Sequence, residues 1–179
     1  MKNFLYSLFL FLIPTLLYAE DGSKLWLRYQ PLSAKQVKSL SMVISSVLSE
    51  EPGDCTAITE LQYTWKQLTG KELPVAASLK DYSLVIGTEK SKLIQSLGLQ
   101  KELQTLGSDG FIIRTMKSKG NRITVIASKG ENGLLYAVFN LLRNIQLYVP
   151  SSNILRTIQL GSSPFTFDIK EVPSYKIRI

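Results

Sequence analysis

The chain has 179 residues, 45 % of them apolar and 20 % charged, with a formal net charge of +7. That length accommodates one ordinary domain with a real core, and the balance of apolar and charged residues excludes a disordered chain. There is no histidine and Cys55 is the single cysteine, which excludes Ser-His-Asp and Cys-His catalysis, histidine metal sites, an internal disulfide and a thiolate cluster.

Lys2 gives a positive start, no charge occurs from Asn3 to Ala19, and Phe4 to Ile13 is a nearly continuous apolar run broken by Pro14. This is the layout of a secretory signal peptide over residues 1–19, and it is short for a membrane span. Leu17 is larger than the residue usually found three before a cut, so an uncleaved anchor stays open as the alternative. The membrane is a partner only in that case. No cysteine follows the apolar run to serve as a lipoprotein attachment site. The mature chain is expected to be exported, to the periplasm or beyond the cell.

Leu25-Trp26-Leu27-Arg28-Tyr29 alternates as a strand does, and Pro31 closes it. Ser33-x-x-Gln36 reads as a capping box, with Val37, Leu40 and Ile44 at helical spacing; a strand is expected after it, within 42–48. Glu50-Glu51-Pro52-Gly53-Asp54 is a turn. Ile58, Leu61, Trp65 and Leu68 then share one helical face, and Gly70 stands where a left-handed cap is wanted. Leu84-Val85-Ile86, followed by Gly87-Thr88, reads as a central strand covered on both faces. A short helix carrying Leu93, Ile94 and Leu97 should end at Gly98. Strands are expected over 111–116 and 122–127, joined by a hairpin loop over 117–121.

The longest helix is expected over 132–146. Leu134, Leu135, Val138, Phe139, Leu141, Leu142 and Ile145 spread over roughly 200° of its wheel, wider than one sheet face requires. Its second partner is either another helix of this domain or something outside the chain. Gly161-Ser162-Ser163-Pro164 reads as a linker before a last extended piece, Phe165 to Ile179, which stops in mid-strand pattern. Alternating strand and helix signals with a hairpin give an α+β class: a mixed β-sheet with helices mainly on one face. The domain is placed at 20–160, with linker and lead-in at 161–179.

Few residues invite a chemical reading. Glycoside hydrolysis needs two carboxylates facing across a bond, and Glu50, Glu51, Asp81 and Glu131 each read more simply as turn, strand-entry or helix-start residues. Gly87-Thr88 between a strand and a helix is an anion site or a plain Thr cap. Trp26 and Trp65 are sugar-stacking platforms or core, and their patterned positions favour core. Cys55 lacks a histidine to activate it. The glycines at 107, 110, 120, 130 and 133 fit no phosphate or dinucleotide fingerprint. Lys and Arg are scattered without a run of five, so the charge reads as solvated surface, and nucleic acid is not expected as a partner. No catalytic, cofactor-binding or metal residue is assigned, and no cofactor.

Several stretches in collinear order carry a resemblance: 20–32, Glu60-Leu61-Gln62 with Leu68-Thr69-Gly70, 80–88, 106–113, 132–143 and 173–178. Leu25-Trp26-Leu27-Arg28-Tyr29-Gln30-Pro31-Leu32 resembles the opening of mature α-glucuronidases of glycoside hydrolase family 67. Lys80 to Thr88 resembles that family's central strand and turn, and Leu106-Gly107-Ser108-Asp109-Gly110-Phe111 its hairpin entry. Asn132-Gly133-Leu134-Leu135-Tyr136 through Arg143 is similar to its long helix, with Ala137 in place of the usual Gly and Asn140 in place of the usual His. The resemblance implies an N-terminal accessory fold, like that of hexosaminidases, standing ahead of a catalytic (β/α)8 barrel. The family's acid, base and uronate-binding residues lie in that barrel, beyond the match. The family's whole enzyme releases (4-O-methyl)glucuronic acid from xylan-derived oligosaccharides, so this chain alone is expected to be inactive. The partner so implied is the barrel, in cis or as a separate chain. A stand-alone exported module binding xylo-oligosaccharide or a protein is the alternative.

Overall fold

Ser33 starts the first helix through a true capping box: its amide donates to Gln36 Oε1 at 2.7 Å while its hydroxyl accepts from the Gln36 amide. The computed structural model describes residues 29–148 and 166–172. In chain order the elements are α1 (Ala34–Ser41), β1 (Ser46–Ser49), α2 (Thr56–Thr69), β2 (Ser83–Thr88), α3 (Lys92–Ser96) and α4 (Gln100–Gln104). Then come β3 (Phe111–Ser118), β4 (Asn121–Ser128), α5 (Glu131–Tyr148) and β5 (Asp168–Glu171). The stretch 33–49 is a helix followed by a strand, as expected.

The strands form one sheet in the order β1-β2-β4-β3-β5. β1, β2 and β4 run parallel, while β3 is antiparallel to both β4 and β5. The sheet is therefore mixed, as the alternation of signals implied. All six residues of β2 are buried, because apolar layers cover it above and below. The β3–β4 hairpin is tighter than expected. Ser118 pairs with Asn121, so the loop shrinks to Lys119-Gly120, both at positive φ, the signature of a type I′ turn.

The larger core joins α1, α2 and α5 to one sheet face. On α5, Leu134, Ala137, Val138, Leu141, Leu142 and Ile145 are fully buried, while Leu135 and Phe139 are half-buried. One side of that helix lies on β2, β3 and β4, and the other lies against α2. The wide apolar arc is thus met within the domain. The opposite face is covered by α3, α4 and their flanking loops, through Ile94, Leu99, Leu103 and Leu106. Both helices there have five residues, so the long helices do lie on one face. The polar sequence of α4 hid it from pattern reading.

Gly70 ends α2 at φ 71°, left-handed as expected, and Gly98 follows α3 at φ 75°, in the same conformation. The expected strand at Leu25–Tyr29 lies outside the described residues except for Tyr29, which is not in a strand. Residues 1–19, Trp26 and 161–164 lie outside them too. β5 falls within the stretch read as lead-in and is the edge strand of the same sheet.

Candidate functional site

Open α/β sheets bind ligands outside the carboxyl ends of neighbouring strands whose connections leave toward opposite faces. β1 leads into α2 in the larger core and β2 leads toward α3 in the smaller one, so that crevice lies between their ends. Its donors are already engaged. Glu51 Oε1 accepts from the Thr88 amide at 2.6 Å and the Thr88 hydroxyl at 2.9 Å. Glu50 Oε2 accepts from the Ser91 hydroxyl at 2.8 Å and the Leu93 amide at 3.0 Å. The two acids that follow β1 therefore take the place an anionic ligand would hold. Gly87 permits the close approach: a Cβ there would lie 2.8 Å from Ile94 Cγ1 and 3.0 Å from Ser91 Cβ.

One expectation changes here, and another gains its partners. Thr88 does not cap the following helix; Ser91 does, its hydroxyl accepting from the Ile94 amide. Glu50 and Glu51, read as turn residues, bond across to the turn that follows the next strand. No sequence pattern shows this, because the partners are 37 to 43 residues apart.

The Leu93 amide above all, then the Ser91 hydroxyl, hold the Glu50 carboxyl below the ordinary glutamate range. The Arg114 guanidinium, bonded to Glu102 at 2.6 Å, does the same for Glu102. A depressed folded pKa stabilises the protein above the unfolded value, about 4.3, and that contribution is lost as pH falls through the folded one. The urea midpoint should therefore fall between pH 5 and pH 3, and Glu50→Gln with Glu102→Gln should flatten that dependence. An unchanged slope in the double variant would remove these two groups as its cause.

The remaining candidates are structural. Asp81 Oδ1 accepts from the Arg122 amide at 2.7 Å, tying the β2 entry to β4. Glu131 is exposed in the first turn of α5, where a negative charge suits the helix dipole. Cys55 is buried at the start of α2. Trp65 is 5 % exposed and packs in the larger core, so it offers no stacking face. Among the described residues no group of His, Cys, Asp and Glu is placed to hold a metal ion, and no helix is long and apolar enough to cross a membrane.

Two shallow grooves flank the Glu72–Pro74 segment beside β1. One, of about 440 Å³, runs past Val37, Lys38, Trp65 and Lys71; the other, of about 780 Å³, past Ile58, Gln62, Tyr63 and Val75. Tyr63 is 62 % exposed. Pattern reading passed over it, although an aromatic residue off the Leu61–Trp65 stripe was a visible signal. Neither groove holds an opposed pair of carboxylates, and Glu72 in each is bonded to Lys66 at 3.0 Å.

No curated protein matches the chain. Residues 25–141, well over half of it, match the family model described as the glycosyl hydrolase family 67 N-terminus. By that match the chain belongs to glycoside hydrolase family 67, the α-glucuronidases, through its N-terminal domain.

Proposed function

We propose that the chain is the accessory N-terminal domain of an exported α-glucuronidase acting in xylan breakdown, and that it is inactive by itself. The family match over 25–141 carries this reading. The filled crevice supports it, since Glu50 and Glu51 already bond the donors of the β2–α3 turn. Hydrolysis then belongs to a catalytic barrel, in cis or as a separate chain, and the charge-free run from Asn3 to Ala19 supports export. Purified protein incubated with aldouronic acids should release no (4-O-methyl)glucuronic acid above the buffer blank. Measurable turnover that survives repurification would sink the claim of inactivity.

The exposed Tyr63 favours a second reading, a module that binds xylo-oligosaccharide on the 58–75 groove. Titration with xylohexaose should then shift NMR signals of Tyr63 and Gln62, and Tyr63→Ala should weaken binding at least about tenfold, the 1.4 kcal/mol scale of one lost stacking contact. No shift at millimolar sugar removes it.

A further inference from the structure

The last described strand is short, exposed and at the sheet edge, yet it is tied down from every side. Phe167 is 6 % exposed in the larger core, its amide donates to Thr115 Oγ1 at 3.0 Å, and its carbonyl accepts from the Thr115 amide at 2.8 Å. Arg114 makes a two-bond fork to Glu102 of α4, at 2.6 and 3.0 Å, while its Nε donates to Asp168 at 2.9 Å. Lys170 Nζ donates to Thr105 Oγ1 at 3.0 Å, just after α4. From the opposite layer, Asn140 Nδ2 of α5 donates to Glu171 Oε1 at 3.0 Å. Asn140 is one of the two departures from the family pattern; its Nδ2 makes this bond while its Oδ1 accepts from Asn144 Nδ2 at 2.7 Å.

The topology adds a direction. β5 is antiparallel to β3, and Glu171 pairs with Phe111, so the strand ends at the carboxyl ends of β1, β2 and β4. Residues 29–32 enter elsewhere: the Leu32 amide donates to Leu68 O at the end of α2, and Gln146 Nε2 donates to Gln30 O at the end of α5. Both helices start at the carboxyl ends of the parallel strands and run back toward the opposite end of the sheet.

We propose that residues 166–171 are a clasp and not a tether, locked to β3 through Thr115 and to both helical layers through Arg114, Thr105 and Asn140. On this arrangement the polypeptide leaves Val172 in one fixed direction, from the end of the sheet opposite its entry. Edge strands held only by one neighbour fray, whereas ties to both layers give such a strand the protection of the core it joins. A module attached after Val172 would be oriented by the sheet itself. The inference rests on these bonds alone and stands whether or not a catalytic barrel follows.

Hydrogen exchange on the full chain tests it. The amides of Phe167, Ile169 and Glu171, which face β3 in the antiparallel register, should exchange at least about a hundredfold more slowly than an unstructured chain, in the range of cooperative opening. Arg114→Ala should speed them at least tenfold while β2 and β4 keep their protection. Should Arg114→Ala unfold the whole domain, Asp168→Asn, which keeps the Arg114–Glu102 pair, should speed 167–171 alone. Paired spin labels at Lys38→Cys and Val172→Cys, with Cys55→Ser, should give one narrow distance distribution. Unprotected amides at Phe167, Ile169 and Glu171 in the unaltered protein, a broad distribution, or no change in either variant would each overturn the clasp.

Discussion

Trp65→Ala should cost about 3–5 kcal/mol, the range for truncating a buried aromatic residue. Trp65 is 5 % exposed in a cluster with Leu40, Leu61, Leu68 and Leu73, all at 3 % or less, so the neighbours can close the void only by moving other packed groups. Domains of this size hold about 5–15 kcal/mol in total. The urea midpoint, followed by circular dichroism, should therefore drop by more than about 1 M, given a slope of 1–3 kcal/mol/M. The experiment also separates two roles for one residue. A sugar platform lost to alanine would abolish binding and leave the midpoint nearly alone. A midpoint shift below about 0.3 M would place Trp65 outside the core and reopen the platform reading.

Gly133→Ala should cost about 2 kcal/mol, within the usual range for overpacking. Gly133 lies in the first turn of α5, where alanine would ordinarily be the better helix former. Here a Cβ would sit 2.7 Å from the Gly110 carbonyl oxygen and 2.8 Å from Ser128 Cβ. The first is backbone at the β3 entry and the second is on a fully buried residue of β4, so neither yields cheaply. The helix start would have to lift off the sheet. Thermal melting of the variant beside Gly130→Ala is the measurement, since a Cβ at 130 meets only Ser108 O at 3.6 Å. Equal melting temperatures for the two variants would show that the close approach at 133 carries no weight.

These two positions show where sequence reading succeeds and where it stops. Trp65 was assignable to a core because it shares a helical face with Ile58, Leu61 and Leu68, and a face repeats in sequence as it does in space. Ser33 with Gln36, Gly70 and the helix end at Gly98 were legible for the same reason: each is a local bond or dihedral requirement met within a few residues. Gly133 was visible as a residue but not as a constraint. What crowds it, Gly110 and Ser128, reaches it only through the sheet.

The candidate crevice followed the same division. The sequence placed Glu50 and Glu51 in a turn and Thr88 after a strand, and nothing local brings them together. That contact exists because β1 and β2 lie side by side in parallel, Ser49 opposite Ile86, which sets the two turns next to each other. The width of the apolar arc on α5 was likewise countable, while its second partner, α2, was not. Sequence by itself determined most of the elements, the caps at Ser33 and Gly70, the mixed class and the family, because those depend on periodicity and short-range bonding. Only the tertiary structure decided that the acids fill the crevice, that Trp65 offers no face, and that Arg114 clasps β5 across 54 residues, because pairings at such separation are set by strand order.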